Sequence, residues 1–343
     1  MSPSKPVKSF LRTAVLFCVF LSAVWLSVWL AWRACPQVEP GSLRVYEAKM
    51  DAIRRGQVFS PGARTRVLVV GDSRALVGFR PDLFEQLSGG KVEAYNCGLV
   101  LTLFYHKKYT LLDILKSLES SRQLPTHLLL TNTCPFQPST AVASQPTFAV
   151  PRPLQLDTDA TVKRLFPFRQ FPRNLLAFLR HSRRNGGLRG YARLCEDEVA
   201  TMLRQKGYYY LRTLSANATG TLPKDYRARG DDPARPVVRT VDLASAELRE
   251  VTRLAEATGM KVILAPTYFR QGACARPGAP TVEERRLAAR GVESCGPAYW
   301  LFPSECFSDS VHVNAAGSEI YTRALWQALG AHLSNGGPVT AAP

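Results

Sequence analysis

The chain has 343 residues, of which 46% are hydrophobic and 21% are charged, and its formal net charge is +17. This composition excludes a disordered chain, and the length is sufficient for one large domain with an insertion. The charge alone allows nucleic acid, an anionic membrane surface or an anionic polysaccharide as a partner. Nucleic acid is not expected, since no paired zinc ligands or RNP-type aromatic strand accompany the charge.

An uncharged run rich in Leu, Val, Phe and Trp covers residues 13–32 and is long enough to cross a bilayer as a helix. Lys5, Lys8 and Arg12 precede it, so residues 1–12 are predicted to be cytoplasmic. A cleaved signal peptide is the alternative, but no clean small-x-small cleavage site follows the run. The pattern favours a single-pass anchor in the cytoplasmic (inner) membrane, with the rest of the chain periplasmic or otherwise extracytoplasmic.

Composition divides the remainder of the chain. Residues 33–65 are predicted to be a spacer with one short helix, residues 66–333 the main domain and residues 334–343 a flexible tail. A basic insertion interrupts the domain at about 134–240, and residues 151–240 hold 18 Lys and Arg against 8 Asp and Glu. The sequence leaves open whether this insertion binds a ligand or is only a solvated surface.

Short apolar runs alternate with amphipathic segments through the main domain. This alternation is typical of βαβ units and predicts an α/β fold with a parallel sheet covered by helices on both faces. The predicted strands lie at 67–70, 92–95, 128–130 and 261–266, and the predicted helices at 81–87, 102–121, 242–258 and 318–333. The helix at 242–258 is predicted to have Asp242 as its N-cap and Gly259 as its stop.

Polar side chains follow three of the predicted strands directly. They are Ser73, the Asn96-Cys97-Gly98 segment and Asn132. Ligands of open parallel sheets bind outside the carboxyl ends of the strands, so these residues should share one edge. Asp309 and His312 precede the last helix and are predicted to reach the same edge. A serine with a histidine base and an orienting carboxylate is a constellation for nucleophilic acyl transfer.

These residues resemble the blocks of the SGNH (GDSL-type) hydrolase family over residues 67 to about 333. Gly71-Asp72-Ser73 is similar to the first block, Gly98 to the second, Asn132 to the third and Asp309-x-x-His312 to the last. The third block departs from the usual Gly-x-Asn-Asp, and the insertion is unmatched. The resemblance implies a three-layer α/β/α fold with a flavodoxin-like parallel sheet.

The resemblance also implies roles for the residues. Ser73 is the expected nucleophile, His312 its base and Asp309 the residue that orients the imidazole. The N–H groups of Ser73 and Gly98, with the Asn132 amide, form the expected oxyanion hole, and no metal or cofactor is expected.

The single anchor resembles the bacterial envelope branch of the family. This predicts an esterase or O-acyltransferase acting on an acylated extracytoplasmic polysaccharide or lipid, which could be anionic. The sequence does not distinguish hydrolysis from transfer and does not identify the acyl group, the acceptor or the oligomeric state. The alternative from another class is a non-catalytic envelope protein that keeps the fold and binds an anionic glycan through the basic insertion.

Eight cysteines are present, and Cys18 lies in the apolar run, which leaves an odd number outside it. No Cys-x-x-Cys pair occurs, which argues against a zinc ribbon. A second insertion at 268–302 has little apolar surface in its charged stretch. A Cys274–Cys295 disulfide is therefore predicted to hold it, with Cys306 as the competing partner.

Overall fold

The computed structural model describes residues 5–34, 41–99, 111–131, 171–209, 220–237, 243–279 and 282–334. The chain divides into two units, residues 1–40 with 149–197 and residues 41–148 with 198–343. The predicted basic insertion is thus split, and its residues 149–197 group with the apolar N-terminal helix.

The two units together contain the following helices and strands, numbered in chain order. The helices are α1 (Lys5–Ala34), α2 (Gly41–Arg54), α3 (Ser73–Gly78), α4 (Pro81–Leu87), α5 (Leu111–Ser120), α6 (Phe171–Arg184), α7 (Gly187–Arg204), α8 (Ala246–Thr258), α9 (Val282–Ala288) and α10 (Ala315–Ser334). The strands are β1 (Thr65–Val70), β2 (Val92–Asn96), β3 (His127–Leu130), β4 (Lys261–Leu264), β5 (Thr267–Arg270), β6 (Val292–Ser294) and β7 (Tyr299–Phe302).

Helix α1 contains the stretch expected to cross a membrane. Ser9–Ala31 is 23 residues long with a mean hydropathy of 2.3, which is sufficient by length and composition for a bilayer span. The side chains described along it are mostly exposed, and Val28 and Trp29 near its end are partly buried.

Five strands form a parallel sheet in the order β2-β1-β3-β4-β6. Leu68 of β1 pairs with Leu128 of β3, which in turn pairs with Val262 of β4. The three central strands are buried on both faces, which is why their sequences are continuous apolar runs. The parallel α/β prediction is confirmed.

A hydrophobic cluster covers each face of this sheet. Leu68 and Val70 belong to the cluster that includes residues of α2, α5 and α8. Val67 and Val69 belong to the cluster that includes residues of α3, α4 and α10. Because successive side chains of a strand point to opposite faces, β1 contributes residues to both clusters.

Helix α2 is part of the domain, although the sequence suggested a spacer. Tyr46, Met50 and Ile53 are buried in the first cluster, and their spacing places them on one face of the helix. The polar composition of residues 33–65 concealed this apolar stripe.

The segment predicted as a second insertion belongs to the sheets. Strand β6 pairs with β4 at the edge of the main sheet, and β5 pairs with β7 in a two-stranded parallel sheet. Leu287 and Val292 are buried in the core, so packing and strand pairing hold this segment. The predicted disulfide is wrong, since Cys274 and Cys295 are buried thiols that are not joined.

Helix α8 begins later than predicted. Its N-cap is Ser245, whose Oγ accepts the Leu248 N–H at 3.4 Å, so the helix starts at Ala246. Asp242, the predicted cap, lies outside the described residues. The predicted stop is confirmed, because Gly259 ends the helix with a φ of 69° that favours glycine.

A buried histidine at the start of β3 predicts acid sensitivity. His127 is 4% exposed, and burial together with Lys261 lowers its pKa from 6.5 to about 4. As the pH falls the unfolded chain therefore takes up the proton first. The free energy of unfolding should drop by up to about 3 kcal/mol as the pH falls from 6.5 to about 4.

Urea unfolding of wild type and His127→Gln across this pH range measures the effect. The variant should lose this part of the pH slope whatever its stability at neutral pH. An unchanged slope in His127→Gln would show that His127 does not titrate as described.

Candidate active site

The carboxyl ends of strands β1 and β3 lie close together. Thr131, the residue after β3, donates its N–H to the Val70 carbonyl. A Cβ atom on Gly71 would lie 2.0 Å from Thr131 Oγ1, so only glycine allows the two strand ends to approach this closely. The close approach explains the glycine of the Gly-Asp-Ser motif.

Asp72 turns the chain from β1 into helix α3. Its Oδ1 accepts the Arg74 N–H at 2.9 Å as the N-cap, and its Oδ2 pairs with Arg74 Nη1 at 2.9 Å. Asp72 is buried, so these contacts satisfy a carboxylate that water does not reach. The motif aspartate therefore fixes the helix start.

Ser73 is the first residue of α3 and is partly exposed. No acceptor among the described residues contacts its N–H. This donor belongs to the first turn of a helix, where backbone N–H groups have no intrahelical partner. The side chain and the backbone donor of the same residue are thus both available to a bound molecule.

The histidine lies in a tight loop before α10. Phe307 and Val313 form an antiparallel bridge, and the Ser308 N–H donates to the His312 carbonyl at 2.9 Å. Inside the loop, Asp309 Oδ1 accepts the N–H groups of Val311 and His312 at 2.8 and 2.7 Å. The Asp-x-x-His spacing therefore allows the Asp309 carboxylate to close the loop by accepting these two N–H groups.

The three predicted catalytic side chains form one hydrogen-bonded chain. His312 Nε2 lies 2.9 Å from Ser73 Oγ, and His312 Nδ1 lies 2.9 Å from Asp309 Oδ2. Residues 239 positions apart in sequence are thus in direct contact. With an ionised carboxylate beside Nδ1, the proton of neutral imidazole is on Nδ1, and Nε2 is free to accept the serine proton.

Asp309 is held in the ionised form. Burial raises the pKa of this carboxyl, but the hydrogen bond from the His312 side chain and the attraction of its charge act in the opposite direction. The two backbone N–H donors add to that effect, and the net pKa is below its usual value. The carboxylate is accordingly an acceptor at neutral pH and stabilises an imidazolium.

Gly98 does not offer the free donor that was predicted. Its N–H donates to Asn96 Oδ1 at 2.8 Å, so this group is already used within the loop. A Cβ atom at this position would lie 2.4 Å from Leu76 N, which shows that the glycine permits close packing of the loop on α3. In this geometry Gly98 is a packing residue whose N–H is engaged by Asn96, and the oxyanion role assigned to it stays a prediction.

Asn132, the other predicted donor, lies outside the described residues. Its neighbour Thr131 is at the strand end beside Gly71. Of the expected oxyanion hole, the described residues thus contain one available donor, the Ser73 N–H.

Two buried residues that support the site were not predicted in these roles. Asn96 Nδ2 donates to three carbonyls at the end of α3, those of Ala75, Leu76 and Phe79. Lys49 Nζ donates to the Asn96 and Gly98 carbonyls, both at 2.7 Å. Burial lowers the Lys49 pKa to about 7. The sequence feature that could have indicated the role of Lys49 is its position on the apolar stripe of α2.

Asn96→Ala should destabilise the domain by about 3 kcal/mol, because it leaves several buried carbonyls and the Gly98 N–H without their partner. Urea unfolding measures the loss. Gln86→Ala is the matched control, since Gln86 is an exposed amide on α4. Equal, small effects in both variants would contradict the structural role of Asn96.

No family model, curated protein or solved structure matched the chain when it was compared with each. The interpretation of the site therefore rests on the motifs and on the geometry of the residues that carry them.

Proposed function

We propose that this protein is a membrane-anchored serine esterase or O-acyltransferase of the SGNH type. The observation that carries the proposal is the continuous hydrogen-bonded chain from Ser73 through His312 to Asp309. A nucleophile in contact with a base, and that base oriented by a third group, is the arrangement that activates a serine hydroxyl.

The first half-reaction follows from these contacts. Ser73 Oγ attacks the carbonyl carbon of an ester, and its proton moves to His312 Nε2. Asp309 stabilises the resulting imidazolium, and the Ser73 N–H donates to the oxyanion, with the Asn132 amide proposed as a second donor. The intermediate then breaks the carbon–oxygen bond of the alcohol, which leaves with the proton from His312, and an acyl-serine remains.

The second half-reaction returns the enzyme to its initial state. His312 takes a proton from water or from a sugar hydroxyl, whose oxygen attacks the acyl-serine. Collapse of this intermediate releases Ser73 Oγ, which recovers its proton from His312. Water gives hydrolysis and a hydroxyl gives transfer, so one site supports both reactions.

The proposal extends to architecture and location. The strand order and the hydrophobic cluster on each sheet face support a three-layer, flavodoxin-like arrangement. The apolar helix α1 and the basic residues before it support an inner-membrane anchor with the catalytic unit outside the cytoplasm, where acylated polysaccharides or lipids are the substrates.

A fluorophosphonate probe tests the proposal. The full-length protein in detergent should be labelled, and peptide mapping should place the adduct on Ser73. Ser310→Ala, an exposed serine in the histidine loop, should be labelled like wild type. Absence of labelling, or labelling of another serine, would contradict the proposal and favour the non-catalytic glycan-binding alternative.

Asp309→Asn should reduce the rate of ester hydrolysis by about 10⁴-fold with little change in thermal stability. The amide still accepts from the loop N–H groups, but its NH₂ group beside Nδ1 favours the tautomer that cannot take the serine proton. The rate with a short-chain activated ester measures this. A loss of less than about tenfold would show that Asp309 does not orient the base.

A further inference from the structure

Helix α6 in the smaller unit has two chemically distinct sides. At 100° per residue, Leu175, Leu176, Phe178 and Leu179 fall within one half of the helix, and Arg180 and Arg184 fall on the other. Arg183 lies on the apolar half but in the last turn, where a long side chain can reach the headgroups. Residues 171–195 contain six arginines and no Asp or Glu. A basic amphipathic helix of this kind is typical of a segment that lies at a membrane surface.

The position of α6 beside α1 agrees with this chemistry. Leu175 and Phe178 pack against the same hydrophobic cluster as Val28 and Trp29, which lie near the end of the membrane-length stretch Ser9–Ala31. Trp25 and Trp29 stack at 6.3 Å in the same region of α1. Tryptophans at the end of a span are usually found at headgroup level, so the cluster that α6 shares with α1 lies at the depth of the interface.

Part of the apolar side of α6 is uncovered by protein. Leu176 is 67% exposed and Leu179 is 39% exposed, although Leu175 and Phe178 beside them are partly buried. Leu188, at the start of α7 in the same unit, is 54% exposed. Adjacent exposed leucines next to a membrane span are explained when acyl chains cover them.

We infer that α6 lies in the membrane–water interface, with Leu176 and Leu179 toward the acyl chains and its arginines at anionic headgroups. The inference rests on the proposed anchoring of α1 and goes beyond it. It assigns a second membrane contact, and with it a function for part of the basic insertion. The complementary charge and the hydrophobic cluster shared with α1 favour a lipid surface over a protein partner.

Depth-dependent fluorescence quenching tests the inference in the full-length chain. Leu179→Cys and Ala177→Cys are each made with Cys18, Cys35 and Cys134 replaced by serine, so that the remaining native cysteines are buried thiols. Both target positions are exposed and lie about 160° apart around α6. Each variant is labelled with a thiol-reactive fluorophore and reconstituted into phosphatidylethanolamine–phosphatidylglycerol vesicles that contain acyl-brominated lipid.

Quenching at position 179 should exceed that at position 177 by at least about threefold, because an interfacial helix buries its apolar side about 5–10 Å below the headgroups. Equal weak quenching at both positions would overturn the inference. Protection of position 179 from aqueous iodide without lipid quenching would also overturn it, since a protein partner or second copy would then cover this side.

A label on native Cys18 separates this inference from the anchor proposal. Cys18 is exposed within α1 and should be strongly quenched in the same vesicles. Quenching at Cys18 together with equal weak signals at 177 and 179 overturns only the interfacial assignment. Absence of quenching at Cys18 overturns the anchor and the interfacial assignment together.

The lipid charge is tested with the same labelled chain. In phosphatidylcholine vesicles with the same fraction of acyl-brominated lipid and no anionic lipid, quenching at position 179 should fall by at least about half, since the arginines lose their anionic partners. Unchanged quenching would contradict the assignment of the arginines to anionic headgroups.

Discussion

Ser73→Ala is expected to reduce ester hydrolysis by about 10⁶-fold and to abolish labelling by a fluorophosphonate probe. The variant loses the attacking oxygen, and the imidazole of His312 then has no proton to accept from the enzyme. Stability should change by less than about 1 kcal/mol, because one partly exposed hydroxyl with a single hydrogen bond is removed.

The measurements are the initial hydrolysis rate with a soluble activated ester and the unfolding midpoint of the same preparation. Ser310→Ala is the matched serine control and should retain the wild-type rate. Substantial residual hydrolysis by folded Ser73→Ala would mean that another residue is the nucleophile.

His312→Ala is expected to be almost as damaging as Ser73→Ala, and the double variant should be no slower than either single variant beyond about threefold. In the proposed mechanism the two residues act in one step, since Nε2, which lies 2.9 Å from Oγ, takes the Oγ proton as the new bond forms. Once either is missing, the other has no remaining function in the reaction.

The hydrolysis rates of wild type, the two single variants and the double variant are measured as a double-mutant cycle. Because His312 also donates its backbone N–H to Asp309, the fold of each variant is checked by thermal unfolding. Independent, multiplicative losses would contradict a shared step.

The central strands and the triad were predictable for a physical reason. Strands β1, β3 and β4 are buried on both faces, so each contains a continuous apolar run, and polar residues follow β1 and β3 directly. The positions of Ser73, Asp309 and His312 follow from strand ends and from a short local motif. The strand-end rule places Ser73 at one edge of the sheet, and the loop before α10 brings Asp309 and His312 to it.

The remaining elements depend on tertiary contacts that no local pattern contains. Strand β6 has three residues, too few for a periodic signal, and only its pairing with β4 defines it. The engagement of the Gly98 N–H depends on the rotamer of Asn96, which is set by carbonyls of α3. The sequence identifies a glycine at a strand end but does not reveal which acceptor its N–H meets.

Helix α2 determines where a truncated form of this protein can begin. A truncation that starts at the predicted domain boundary, near residue 66, would remove Tyr46, Met50 and Ile53 from the core. It would also remove Lys49 from the carbonyls of the loop beside α3. A cut between α1 and Gly41 would keep these supports with the larger unit, whereas a cut after Arg54 would leave the triad on a weakened scaffold.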